Sequence, residues 1–312
     1  MKSKCTVFIL AGGFGTSFQL LYPSVPKPLV PLGHNPSLCI LLETLLELSD
    51  HIDHIYILVF ERHCEKFKRE IFRWFYNDHD RIHLIAMPDP QGTAKSIQYA
   101  LEDLKKKGTM VERHLLLLHS NMPLISKITL ADFIQHSLTE DSEEPISVLV
   151  SKIKNLDNER VVVIDEDRIT AIVSSPHPSP FCYLNTIMVH RVILEHLVDR
   201  IEQNTITSEY DIEQIVALCS TGAKMFCIHP YVANKECIII RKVDDKNFAE
   251  EMYMEHRNNI FIQQCYGLWK KCNVFESRLS FLESKILAME SLTTPAPAPT
   301  PTPTPTPSSS II

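Results

Sequence analysis

Short, uninterrupted apolar runs dominate the first half of the chain. Residues 6–10, 55–60, 83–87, 114–119 (HLLLLH) and 146–150 each read as a strand buried on both faces. A half-solvated antiparallel sheet would alternate apolar and polar side chains, and these runs do not. Between them lie stretches of helical period at 35–48, 64–76, 93–106 and near 130–136. Strands alternating with helices imply a parallel sheet covered on both sides. In the second half, residues 161–164 and 169–173 flank the polar turn Asp165-Glu166-Asp167, which predicts an antiparallel hairpin. A strand near 183–189, helices at 192–203 and 208–220, and short strands at 225–229 and 237–241 complete the pattern. The expected fold class is α/β: an open three-layer mixed, mainly parallel sheet with an antiparallel insertion, followed by a C-terminal helical coiled coil.

The end of the chain differs from the rest. Residues 293–310 read TTPAPAPTPTPTPTPSSS and hold seven of the twenty prolines. Proline lacks a backbone donor, so its alternation prevents both helix and ladder and predicts an extended tail. Before the tail, positions 254, 258, 261, 265, 268, 272, 275, 279, 282, 286 and 289 step by four and three. Ten of these eleven are apolar, with Asn258 the exception. The flanking positions pair Lys271 with Glu276, Arg278 with Glu283 and Lys285 with Glu290 across a parallel dimer. A helix packed on its own domain needs the apolar stripe but not that charge register. The expected organisation is a domain over residues 1–250, a parallel coiled coil over 251–291 that makes a homo-oligomer through 254–290, and a disordered Pro/Thr-rich tail over 292–312.

Charge and cysteine content narrow the function. Lys plus Arg number 31 against 38 Asp plus Glu, a net charge of -7. General nucleic-acid binding leans on a basic field, so that class is disfavoured. No apolar run approaches the roughly 20 residues that span a bilayer. The nine cysteines are odd in number and show no C-x-x-C, which fits reduced thiols in a cytosol-like compartment. The expected setting is cytoplasmic, without membrane.

Glycine is scarce, eight in all, yet Gly12, Gly13 and Gly15 follow the first strand directly in LAGGFGT. Such a loop lets backbone N–H groups turn toward a phosphate without a Cβ in the way. Lys27 follows between Pro26 and Pro28, where its ammonium sits on a fixed backbone. The loop lacks the Lys-Ser/Thr of a Walker A motif and the G-x-G-x-x-G spacing of a dinucleotide site.

LAGGFGT followed by PKPL resembles the sugar-1-phosphate nucleotidyltransferases, best the N-acetylglucosamine-1-phosphate uridyltransferase branch. Pro90-Gln91-Gly92-Thr93-Ala94 resembles the family's base-binding Q-x-G-T. His119-Ser120-Asn121-Met122-Pro123-Leu124-Ile125 resembles its G-D-x-P-L-I. Residues 168–173 resemble the strand before its acceptor-sugar glutamate. Leu184-Asn185-Thr186 resembles its N-T-G, and Ser208-Glu209-Tyr210 its G-E-Y. The motifs keep the family's order across residues 5–240. The resemblance implies a nucleotide-diphospho-sugar transferase-like (Rossmann-like) fold. It implies transfer of a nucleotidyl group from an NTP, expected to be UTP, to a sugar 1-phosphate of the N-acetylhexosamine type, with Mg²⁺ and release of pyrophosphate. By the same resemblance Lys27 is the catalytic cation. Gly12, Gly13, Gly15, Thr16, Gly92 and Thr93 bind the nucleotide, Asn185 and Glu209 bind the sugar, and Asn121 and Asn234 stand at the metal positions.

The sequence departs from the family where charge is needed. The Arg after G-x-G-T is Ser17, the metal-binding Asp is Asn121, and the acceptor Glu is Ser174. The glycine of N-T-G is Ile187, the second metal ligand falls on Ala233 beside Asn234, and Gln91 is shifted by one. Two readings follow. Either Lys95, His119 or Asp89 supplies the missing charge and the chain is an enzyme, or it binds nucleotides or nucleotide sugars without turnover and oligomerises through its C-terminal helix.

Overall fold

The computed structural model of the 312-residue protein describes residues 3–13, 15–78, 80–89, 91–138, 145–152, 160–258 and 260. The chain divides into two compact units, Met1–Met254 and Glu255–Ile312. The first opens with β1 (Cys5–Leu10), the small hairpin β2 (Pro31–Leu32) and β3 (Asn35–Pro36), then α1 (Ser37–Leu46). Next come β4 (Ile52–Phe60), α2 (Cys64–Trp74), β5 (Ile82–Met87), α3 (Thr93–Lys106), β6 (His114–His119) and α4 (Lys127–Ser137). The second half adds β7 (Ile146–Lys152), β8 (Arg160–Asp165), β9 (Arg168–Ser174), β10 (Phe181–His190), α5 (Arg191–Leu197), α6 (Gln214–Leu218), β11 (Lys224–Ile228) and α7 (Pro230–Glu236). A final helix, α8, spans 243–258.

The sheet runs β11-β7-β10-β6-β1-β4-β5, with the β8–β9 hairpin attached to β10. β1 pairs in parallel with β4 and β6, β4 with β5, and β7 with β11. β10 runs antiparallel between β6 and β7. The mixed, mainly parallel sheet expected from the apolar runs is the one present. Period-two alternation along β1 divides its side chains between two cores. Val7 and Ile9 pack with α1, α2 and α4, while Phe8 and Leu10 pack with α3, α5 and α6. Both faces are thus covered, which gives the three layers.

The order of the strands creates the site. From β1 the chain moves outward through β4 to β5, then returns over α3 to place β6 on the other side of β1. Connections leaving adjacent parallel strands in opposite directions open a crevice at the strands' C-terminal ends. Here that crevice lies after Leu10 and His119, which are paired neighbours.

Several expected elements differ. The helix anticipated at 208–220 is confined to Gln214–Leu218. Residues 208–213 instead form a loop tied to Gly92 and Thr93, through Tyr210 N donating to Gln91 O and Ile212 N to Thr93 Oγ1. The strand expected at 237–241 is absent, because its amides are used otherwise. Ile240 N donates to Asn121 O, and the Arg241 and Lys242 amides donate to Asp245 Oδ2, capping the start of α8. α8 begins well before the expected coiled coil. Its Ala249 and Tyr253 join Phe18, Val30, Leu32, Ile40 and Ile240 in a third core. Tyr253 also accepts a hydrogen bond from Asn35 Nδ2 at 2.8 Å. Of the expected coiled coil, residues 254–258 continue α8; residues 261–290 and the Pro/Thr tail lie outside the described residues. Among the described residues no helix is long and apolar enough to cross a membrane.

Candidate functional site

At the crevice lies an open cavity of about 170 Å³, walled by the ends of β1 and β6, the Lys27 turn and the start of α3. It brings together Gly12, Gly13, Lys27, Gly92, Thr93, Asn121 and Glu209, seven of the residues expected from sequence. A Cβ placed on Gly13 would meet nothing within 4 Å, so this stretch of backbone is open to a ligand.

Two expected glycines make room for neighbouring protein. Gly15 is outside the cavity lining. It has φ 61°, and a Cβ there would stand 2.9 Å from the Cβ of Lys27. Its bare backbone lets the Lys27 stem pass. Gly92 has φ 109°, and a Cβ there would stand 2.5 Å from Tyr210 N. That contact seats the 208–213 loop on the N-terminus of α3. Thr16 is exposed in a 3-10 turn and Asn234 is exposed on α7, and neither lines the cavity. Lys95 donates to Gln98 Oε1 and lies over the Tyr210 ring, while Asp89 accepts from Gln91, so neither reaches the cleft wall. Ser174 is exposed at the end of β9, Ile187 is buried in β10 and Ala233 is buried in α7.

Lys27 is half-buried. Its Nζ stands 5.5 Å from the centre of the Phe18 ring and donates to the carbonyl of Arg241 at 3.4 Å. The same carbonyl accepts from Ser17 Oγ at 2.6 Å. Burial, reinforced by the positive charge of Arg241 and only partly offset by Asp245, lowers the Lys27 amine to about 8. A cation held without a carboxylate partner on a cavity wall is a site for an anion.

The opposite wall neutralises itself. Buried Glu213 forms an ion pair with Arg160 Nη1 at 2.8 Å and stands 3.4 Å from His119 Nε2. Asp211 pairs with the other Arg160 nitrogen at 3.3 Å. Burial alone would raise Glu213, but the His119 hydrogen bond and the Arg160 charge outweigh it and hold the carboxyl at about 2. Glu209, nearer the cleft mouth, is raised by partial burial and by Asp211, against the pull of Arg160. Its carboxylate takes no hydrogen bond from a described residue.

Asn185 sits in the left-handed region at φ 49°, where the β10–β7 register shifts between Tyr183 and Ile187. The bulge aims its side chain at β6, where Nδ2 donates to Asn121 Oδ1 at 3.2 Å. Thus Asn185 reaches the cleft through Asn121. This pair also tests the implied Mg²⁺. A hard dication is held best by charged carboxylate oxygens. Asn121 offers a neutral carbonyl already engaged by Asn185, and Asn234 faces away. Among the described residues no group of three or more His, Cys, Asp or Glu could hold a metal ion. At the two expected metal positions, Asn121 and Asn234, the residues present do not fit the metal.

Sequence reasoning gave no role to Arg160, Glu213 or Arg241. Their partners lie tens to hundreds of residues away, and only tertiary structure joins them. Ser120, which bonds Leu10 O through its hydroxyl, and Ser96, which bonds Gly92 O, were visible only as polar residues flanking the motifs.

Comparison with known proteins points the same way. The MobA-like NTP transferase domain matches residues 7–238. The bifunctional protein GlmU of Methanocaldococcus jannaschii is 24% identical over 159 residues, 51% of this chain and 33% of that protein. A probable mannose-1-phosphate guanylyltransferase 1 of Oryza sativa subsp. japonica is 27% identical over 175 residues, 54% of this chain and 44% of that one. The chain thus spans less than half the length of these relatives. HddC from Yersinia pseudotuberculosis, solved with GMP-PN, superposes with a TM-score of 0.58 at 19% identity, covering 80% of this chain and 99% of that one. The inositol-1-phosphate CTP transferase from T. maritima gives 0.60 at 15% identity, covering 81% and 96%. At these identities the two structures show a shared fold.

Proposed function

Because the chain belongs to the family of MobA-like NTP transferase domains, we propose that it is a sugar-1-phosphate nucleotidyltransferase. Its proposed substrates are UTP and an N-acetylhexosamine 1-phosphate. The observation that carries this is the convergence of Gly12, Gly13, Lys27, Gly92 and Thr93 on one crevice. A polyphosphate laid along the Gly12–Gly13 backbone meets the Lys27 ammonium, while the base faces the Gly92–Thr93 end. A phosphate oxygen of the sugar ester attacks the α-phosphorus. The bond from that phosphorus to the bridging oxygen breaks, and pyrophosphate leaves with the electron pair. The protein orients two anions and offsets their repulsion, which is where an enzyme gains most in such a displacement. Asn185 and Glu209 would hold the sugar, directly or through Asn121. The test is pyrophosphate release from UTP and N-acetylglucosamine 1-phosphate, lost in Lys27→Ala. No turnover with any NTP and sugar-phosphate pair would remove the proposal.

The neutral Asn121–Asn185 pair favours a second reading. The site would bind a nucleotide or nucleotide sugar without turnover, in an oligomer formed through residues 254–290. It expects UTP or UDP-sugar to raise the melting temperature with no product formed.

A further inference from the structure

Asn121 and Asn185 stand as a neutral amide pair where the resemblance puts a metal-binding carboxylate. Asn121 Oδ1 accepts from Asn185 Nδ2, which leaves the Asn121 Nδ2 as a hydrogen-bond donor on the cleft wall. No described residue accepts from that nitrogen. An aspartate here would repel a phosphate unless a cation stood between them. An asparagine amide instead donates to a phosphate oxygen directly.

The rest of the wall is consistent. Lys27 and the positive charge of Arg241 lie close together, joined through the Arg241 carbonyl that Lys27 Nζ and Ser17 Oγ share. An anion beside Lys27 would be favoured by that local positive potential. The one carboxylate among the described lining residues is Glu209, whose Cβ packs at the Gly92 turn, on the loop that carries Tyr210. The Glu213 carboxylate lies behind the wall, committed to Arg160 and His119.

We propose that this cleft takes its polyphosphate ligand free of a divalent cation, held by Lys27, the Asn121 amide and the Gly12–Gly13 backbone. The inference rests on reading the cleft as a nucleotide site, and its test separates the two.

The full chain is titrated with UTP and with inorganic tripolyphosphate, each in EDTA and each in excess Mg²⁺. Calorimetry and thermal shift are the readouts. Both probes bind in EDTA, with Kd values no more than about threefold weaker than in Mg²⁺. Lys27→Ala removes binding, which assigns it to this cleft. Asn121→Asp weakens tripolyphosphate in EDTA by about tenfold or more and regains it with Mg²⁺. Binding of both probes only when Mg²⁺ is present overturns the proposal while leaving the nucleotide site intact. Tripolyphosphate binding in EDTA without UTP binding upholds it and overturns the choice of nucleotide. No binding of either probe in either buffer overturns both. Because the wild-type comparison decides between these outcomes, the test survives a poorly folded variant.

Discussion

The two walls of the cleft handle charge in opposite ways. On the Lys27 side an ammonium rests on a backbone carbonyl and an aromatic ring, with the Arg241 charge only partly offset by Asp245. On the Glu213 side two carboxylates face a guanidinium and an imidazole at ion-pair distance, with the Glu213 carboxylate itself buried. A buried charge is costly unless paired. The paired wall is therefore a scaffold that fixes the position of His119 and the 208–213 loop. On the proposed reading, the Lys27 wall keeps its charge for a ligand at some cost to stability.

The largest effect should come from breaking the scaffold. Glu213→Ala leaves Arg160 and His119 facing a hole and should destabilise the fold by about 3 kcal/mol, since Arg160 can turn partly to water. Chemical denaturation measures it, and a loss below about 1 kcal/mol would erase the distinction between the walls. The pH dependence has a definite sign. The Glu213 carboxyl is held at about 2, below its ordinary 4.5. Its stabilisation is therefore complete above pH 4.5 and lost as pH falls toward 2. Wild-type stability should fall over that window more steeply than that of Glu213→Gln.

The sheet was legible because its strands are local apolar runs. Residues 93–106 and 114–119 became α3 and β6 with the expected bounds. The helix expected at 208–220 failed for a physical reason. Residues 208–213 follow helical propensity only until Arg160 claims Asp211 and Glu213, and Gly92 claims the Tyr210 backbone. None of those partners is near in sequence. The strand expected at 237–241 failed similarly, because Asn121 takes the Ile240 amide and Asp245 the Arg241 amide. At the site, the glycines were visible but their duties were not. Gly12, Gly13 and Gly92 line the cavity, while Gly15 and Gly92 also make room for Lys27 and Tyr210, which is a matter of packing across the fold.

A middle-sized effect tests the other wall. Lys27→Met keeps the apolar stem over Phe18 and removes the unpaired charge. The empty protein should gain about 1 kcal/mol in stability and lose UTP binding altogether. The amine titrates at about 8 in the fold against an ordinary 10.5. The unfolded chain therefore binds the proton more tightly between those values, and wild-type stability should rise with pH across that window. UTP affinity should fall as pH climbs past 8, because the ligand needs the charged amine. A Lys27→Met protein less stable than wild type at pH 7 would mean that this cation is already partnered.

The smallest expected effect concerns what holds the Lys27 wall in place. Phe18 and Val30, which flank Lys27, are packed by Ala249 and Tyr253 of α8. Tyr253→Phe removes only the hydrogen bond from Asn35 and should cost about 1 kcal/mol. Ending the chain after residue 250 deletes the whole ring and should cost more, together with UTP affinity. Ending it after residue 258 leaves this core complete. That chain should match the full protein in melting temperature and UTP binding, and should sediment as a monomer if residues 254–290 make the oligomer. Equal stability of the two shortened chains would show that α8 does not support the cation wall, and the contrast between the walls would then rest on Lys27 alone.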